Sequence, residues 1–172
     1  MIKKISFLMA VLMLMSVLVT SAAPVSFDDT KGKSYETAVE LLASLGIVKG
    51  KTDTSYAPEE NITRAEMATI ILRTMNMEEG AKGNDTFEDV TPAHWAYDNI
   101  SAAYQLGIIN GVSATSFAPD SNVSYEQAVK MIISALGYSL QAESQGGYPV
   151  GYLAKAAHLD IIKGVAAGAV KG

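Results

Sequence analysis

The chain of 172 residues has no cysteine, two histidines, one tryptophan, and only 13 Lys+Arg against 18 Asp+Glu. Without cysteine there is no disulfide framework, thiol catalysis, Cys-ligated zinc, iron–sulfur cluster or lipid-modified cysteine. The shortage of basic residues, a formal net charge of −5, leaves no basic patch or stripe of the kind nucleic-acid binders carry. Charged residues make up only 18% against 49% hydrophobic, which is too apolar for a disordered chain. The length allows one or two compact domains.

Much of the apolar content sits at one end. Lys3 and Lys4 precede a stretch from Ile5 to Val19 that is apolar apart from Ser6 and Ser16, and Thr20-Ser21-Ala22-Ala23 then supplies small residues. This is the three-part pattern of a secretory signal peptide over residues 1–22, with cleavage expected after Ala22. The apolar stretch falls short of the roughly 20 residues a membrane-crossing helix needs, so a cleaved leader is expected rather than an anchor, and no membrane contact after cleavage. The mature chain then carries 11 Lys+Arg against 18 Asp+Glu, a formal −7. An exported domain without disulfides must rely on packing or assembly.

A repeat organises the mature chain. Leu45-Gly46-Ile47-Val48-Lys49-Gly50 recurs 61 residues later as Leu106-Gly107-Ile108-Ile109-Asn110-Gly111. Tyr56-Ala57-Pro58 recurs as Phe117-Ala118-Pro119, Asn61-Ile62-Thr63 as Asn122-Val123-Ser124, and Phe27-Asp28-Asp29 as Phe87-Glu88-Asp89. A third copy opens at Tyr148 and runs through Leu159-Asp160-Ile161-Ile162-Lys163-Gly164, without a counterpart of the second half before Gly172. The repeats are therefore expected at 27–77 and 87–138, with a partial third at 148–172.

Each full copy reads as helix, long loop, helix. Ala38, Val39, Leu42 and Leu45 form one apolar helical face in copy one, and Ile100, Ala103, Tyr104 and Leu106 in copy two, with Gly46 a natural C-cap. The polar stretch Gly50 to Asn61 is a loop that Tyr56, or Phe117 in copy two, is expected to pin to the core. The second helix starts at Thr63 or Ser124 and buries Ala68, Ile71, Leu72 and Met75, or Ala128, Met131, Ile132 and Ala135. Thr63 with Glu66 and Ser124 with Gln127 are capping boxes, and Ile62 against Met67 and Val123 against Ala128 are hydrophobic staples.

Capping explains Thr63, Glu66, Ser124 and Gln127 but not Arg64. A cation at the first helical position faces the positive end of the helix dipole, at a cost of about a few tenths of a kcal/mol when exposed. Two readings stand for it: a solvated side chain, or one that shares an anion with the free N–H groups of the helix start.

The ordered set of FxD start, His94-Trp95-Ala96, the glycines around GIIxG, the F-x-P loop and Ile62-Thr63-Arg64-Ala65-Glu66 resembles the S-layer homology family over nearly all of the mature chain. The resemblance implies an all-α fold, with tandem helix–loop–helix repeats in a pseudo-threefold assembly whose third repeat is incomplete here. It implies anchoring of an exported bacterial protein to the cell wall by non-covalent binding of an acidic, often pyruvylated, secondary cell-wall polysaccharide. By the same resemblance, Arg64 is the anion contact and Thr63 and Glu66 shape the helix end around it. Trp95 offers a flat face to a sugar, with buried packing as the alternative. Gly50 and Gly111 bring backbone close to the ligand, the alternative being that their turns need positive φ. Asp29 and Asp89 are expected to be helix caps rather than ligand contacts.

The departures from the family pattern carry expectations of their own. Ser124-Tyr125-Glu126-Gln127 replaces Thr-Arg-Ala-Glu in copy two, removing a cation and adding a carboxylate, so an anionic sugar is expected to bind poorly there. Ser34 and Tyr35 stand near the expected His-Trp of copy one. With copy three cut short, either the chain is part of a longer protein or it completes itself by self-association. No catalytic, metal or cofactor site is expected, because G-x-S-x-G, H-E-x-x-H, phosphate-loop and calcium-loop patterns are all absent. His94 and His158 lie in different copies and are expected at the surface or in a cap. The rival reading is a self-associating structural module that binds no glycan.

Overall fold

A computed structural model describes residues 25–78 and 80–163; the expected signal peptide and the end of the third copy lie outside the described residues. Among the described residues there are six helices and no strand: α1 (Glu36–Ser44), α2 (Arg64–Thr74), α3 (Tyr97–Gln105), α4 (Tyr125–Ala135), α5 (Ser139–Ser144) and α6 (Val150–His158). None of them is long and apolar enough to cross a membrane. The short α5, between copies two and three, has no counterpart in the repeat pattern.

Local chemistry sets the helix ends. Gly46 and Gly107 follow α1 and α3 with φ of 72° and 69°, a conformation that only glycine adopts without Cβ strain. Both capping boxes form: the Thr63 and Ser124 hydroxyls accept from the N–H groups of Glu66 and Gln127, whose side chains accept in return from the N–H groups of Thr63 and Ser124.

The helices pack between copies rather than within them. α2 of copy one lies against α3 of copy two, α4 of copy two lies against α6 of copy three, and α2 touches α4. The first helix of a copy is thus roofed by the second helix of the copy before it. Ala65, Ala68 and Leu72 of α2 share one apolar cluster with Phe87, Ile100 and Phe117 of copy two. A second cluster joins Val129 and Ile133 of α4 to Tyr152 and Ala156 of α6.

In copy one, α1 packs on no other helix among the described residues. Val39 is buried, but Leu42 remains 37% exposed, whereas its counterpart Ala103 is fully buried beneath α2. The expected apolar face of α1 is therefore only partly covered. Leu45 and Leu106 fall just past their helices and are exposed, Tyr104 stays at the surface, and Met75 caps α2 while remaining 37% exposed.

Asp29 and Asp89 correct another expectation: neither caps a helix. The Asp89 carboxylate accepts from the N–H groups of Phe117 and Ala118 and from the Ser116 hydroxyl, and Asp29 accepts from the N–H groups of Tyr56 and Ala57 and from the Ser55 hydroxyl. They clamp each long loop to the start of its own copy. Ala57 and Ala118 have φ of 58° and 57°, a left-handed conformation unfavourable for alanine that the clamp holds in place. The backbone N–H groups of Tyr56 and Ala57 hold Asp29 below the usual carboxylate range. For Asp89, burial pushes upward but is outweighed by the N–H groups and the Ser116 hydroxyl, so it too lies low. Carboxylates lowered by folding add stability that is complete above their unfolded pKa, about 3.9, and is lost as pH falls through the folded values. Thermal melting is therefore expected to hold steady from neutral pH to about pH 5 and to drop below about pH 4, with a shallower acid drop for Asp89→Asn than for wild type. An acid profile unchanged by the substitution would count against the clamp.

Candidate functional site

Five of the six expected ligand residues separate into two grooves. The first, about 500 Å³, is lined by Gly50 and Glu66 of copy one and by Trp95 of copy two, together with Lys49, Lys51 and Arg73. The second, about 150 Å³, is lined by Arg64 and Gly111, with Asn110, Gln127, Lys130 and Tyr148. Thr63 lies between them as the α2 cap and forms an isolated bridge with Asn122. Arg64 therefore does not share a groove with the glycine or the capping glutamate of its own copy; it belongs to the site of copy two.

The burial of Arg64 explains its place at the helix start. Its side chain runs away from the α2 axis into copy two and is only 4% exposed. Nε donates to the Phe117 carbonyl at 2.8 Å, one terminal nitrogen to the Asn110 carbonyl at 2.9 Å, and the other to Gln127 Oε1 at 3.3 Å. The guanidinium carbon stands 4.4 Å from the centre of the Phe117 ring. Burial lowers its pKa from the ordinary guanidinium value, with Asp89 opposing, yet a guanidinium remains protonated in proteins. The α2 backbone docks alongside it: the N–H groups of Arg64 and Ala65 donate to the carbonyls of Ser121 and Pro119, and the Val123 N–H donates to the Ile62 carbonyl. The favourable carbonyl and ring contacts in copy two offset the weak repulsion from the α2 dipole, and the arginine is not simply solvated.

Trp95 is 60% exposed, so its indole is not core packing. It sits over His94, with ring centres 5.8 Å apart. His94 Nδ1 accepts from the Ala96 N–H just before α3, while its buried Nε2 has no hydrogen-bond partner among the described residues. The histidine thus shapes the turn that presents the indole.

Gly50 and Gly111 do not need positive φ, and their close approach is to their own copy. A Cβ on Gly50 would meet the Phe27 ring and stand 2.7 Å from the Ser55 carbonyl; on Gly111 it would stand 2.6 Å from the Ser116 carbonyl and 2.7 Å from the Phe87 ring. They let the loop fold tightly against the FxD phenylalanine, and in doing so leave the groove floor as backbone.

Glu66 has two partners: one oxygen accepts from the Thr63 N–H at 2.9 Å and the other from Lys51 Nζ at 2.7 Å. Burial raises its pKa, but the Lys51 ammonium and the Thr63 N–H outweigh it, and the net shift is downward. Arg73 is paired with Glu78, whereas Lys49 has no carboxylate within ion-pair distance among the described residues. In the second groove Lys130 Nζ lies 5.3 Å from the centre of the Tyr148 ring.

Sequence reasoning misses Lys49, Lys51, Arg73, Lys130 and Tyr148 as groove residues. Lys49 and Lys51 flank Gly50, which is a signal that could have found them. Arg73 sits in the last turn of α2 and Lys130 in the middle of α4, where nothing in sequence distinguishes a groove-lining cation from a solvated one. Among the described residues no three His, Asp or Glu side chains come together as a metal set.

Comparison with known proteins agrees with this architecture. The family model for the S-layer homology domain matches residues 26–68 and 86–129. The chain is 35% identical over 149 residues to a cell surface protein of Thermoanaerobacter kivui, covering 84% of this chain and 19% of that one. It is 35% identical over 162 residues to a surface layer protein of Brevibacillus choshinensis, covering 88% and 14%. It is also 40% identical over 103 residues to the endo-1,4-beta-xylanase A of Thermoanaerobacterium saccharolyticum, covering 60% and 9%. The chain thus spans less than a fifth of the length of each of these relatives.

Proposed function

Because this chain belongs to the S-layer homology family, a cell-surface family of wall-anchoring modules, we propose that it holds an exported protein on the cell wall by binding an acidic secondary polysaccharide in the first groove. The observation that carries this reading is the Trp95 indole, 60% exposed at a groove that Lys49, Lys51 and Arg73 also line. An exposed indole beside cations suits a ligand with an apolar sugar face and a carboxylate, such as a pyruvylated amino sugar. Gly50 keeps the floor open to a ring, and Glu66 holds Lys51 beside it.

Arg64 and Gly111 contribute through the second groove, where Arg64 and Lys130 are the cations and Tyr148 is the aromatic face. An arginine has five N–H donors, so the three that Arg64 uses leave two for a ligand carboxylate. This weakens the expectation that copy two, lacking its own arginine, is a poor site for an anion. With three donors already engaged, Arg64 is the lesser ligand contact and the greater structural one.

The test is co-sedimentation with purified walls, native and stripped of secondary polymer. Trp95→Ala is expected to weaken sedimentation with native walls about tenfold, the loss of roughly 1.4 kcal/mol that removing a well-placed aromatic contact produces. Its melting temperature should stay within a degree or two of wild type, since the indole is mostly solvated. Equal sedimentation of the variant and wild type would remove the first groove as the ligand site. Retention of wild type on stripped walls would point to peptidoglycan instead.

A further inference from the structure

The two grooves are built from the same repeat positions. At the offset of 61 residues, Lys49 and Thr69 of the first groove correspond to Asn110 and Lys130 of the second. At the offset of 53 residues that relates Leu106 to Leu159, Trp95 corresponds to Tyr148. Each groove thus has one loop position, one helix position and one aromatic in common, but the lysine has changed sides. Copy one carries it on the loop, opposite a threonine of α2, and copy two carries it on α4, opposite an asparagine of the loop.

The two positions meet in space. With the Asn110 amide nitrogen donating to the Ile109 carbonyl at 3.2 Å, its oxygen accepts from Lys130 Nζ at 3.1 Å, and the same ammonium stands 5.3 Å from the centre of the Tyr148 ring. Loop and helix positions therefore face each other beside the aromatic, so a lysine at either one delivers an ammonium there. In the first groove Thr69 is buried and accepts from Asn99, which leaves Lys49 to carry the charge.

The other groove cations are already engaged. Lys51 is bonded to Glu66, Arg73 to Glu78, and Arg64 to two backbone carbonyls and Gln127. Neither Lys49 nor Lys130 has a carboxylate within ion-pair distance among the described residues. A carboxylate beside a cation cancels much of its field, so an incoming anion gains most from the unpaired ammonium.

Building on the glycan reading above, we propose that Lys49 and Lys130 are the residues that select the anionic group of the ligand, one in each groove. The two copies reach the same arrangement, an unpaired ammonium beside an aromatic face, from opposite walls. Arg64, with most of its donors held by copy two, adds less to that selection.

Iodide is the anionic probe and acrylamide the neutral one, read by fluorescence of the single tryptophan. Lys49→Gln is expected to lower iodide quenching of Trp95 about twofold, the order expected for one unit charge within a Debye length, and to leave acrylamide quenching unchanged. For the second groove the reporter is moved by combining Trp95→Phe with Tyr148→Trp. There Lys130→Thr should lower iodide quenching by a similar factor, and adding Asn110→Lys should restore it, because the loop then supplies the ammonium as it does in copy one. Unchanged iodide quenching with Lys49→Gln, or no recovery with Asn110→Lys, would overturn the proposal. On native walls Lys49→Gln should sediment about tenfold more weakly, the loss of one charge-assisted contact, and with a shallower dependence on salt than wild type. If it sediments like wild type while Trp95→Ala does not, lysine is not the selecting group and the glycan reading stands. Retention of wild type on stripped walls would instead remove the glycan reading, and iodide quenching alone would then decide whether the two ammoniums attract an anion.

Discussion

Arg64→Ala is expected to lower the stability of the protein by about 3 kcal/mol, because it leaves the buried Phe117 carbonyl and the partly buried Asn110 carbonyl without their donors and removes the cation over a ring. Among the described residues the Asn110 carbonyl has no other donor, and the Phe117 carbonyl has only the arginine Nε. Because the contact joins copies one and two, its loss should loosen the pair of copies as well as reduce overall stability. Urea unfolding at neutral pH measures the change. Arg64→Lys keeps the charge but lacks the planar fork that reaches two carbonyls at once, so it should recover less than half of the loss. A decrease below about 1 kcal/mol would mean that water replaces the guanidinium without penalty, contrary to its burial. Wall binding by this variant has meaning only below its melting transition, which makes Trp95→Ala the cleaner functional probe.

Phe117→Ala is expected to cost more, about 4 kcal/mol, within the range for emptying a core site of a phenyl ring. The side chain is fully buried, its ring centre is 5.5 Å from that of Phe87, and it carries Arg64 on its face. One substitution therefore disturbs the loop, the FxD start and the arginine contact together. The matching Tyr56→Ala in copy one should cost clearly less, because Tyr56 is only half-buried and no arginine covers it among the described residues. Equal losses at the two positions, by thermal or urea unfolding, would contradict the difference in burial between the two rings. The two substitutions at Arg64 and Phe117 should also fall short of additivity, since each removes part of the same contact.

Much of the fold is legible in the sequence because its signals are local. Both capping boxes involve residues three apart, the glycines after α1 and α3 answer a positive φ at one position, and the place of Phe117 in the repeat marks its ring as the loop's anchor. What the sequence misleads on are contacts between residues far apart in the chain. Asp29 resembles a cap because an acidic residue before a helix often is one, yet its partners are 26 to 28 residues away in the loop. Arg64 is visibly misplaced for its own helix, but its carbonyl partners lie 46 and 53 residues further on.

The sequence by itself determined that this is an all-α repeat protein of the S-layer homology family, and where the second helix of each full copy begins. Local hydrogen bonding and the 61-residue period carry that information without reference to a partner. Only the tertiary structure decided that each second helix roofs the following copy, that Trp95 stays exposed while Arg64 is buried, and that α1 meets no other helix among the described residues. An apolar helix face must be buried against something, but its periodicity does not say which neighbour will do it. That choice is made by the packing of whole copies against one another.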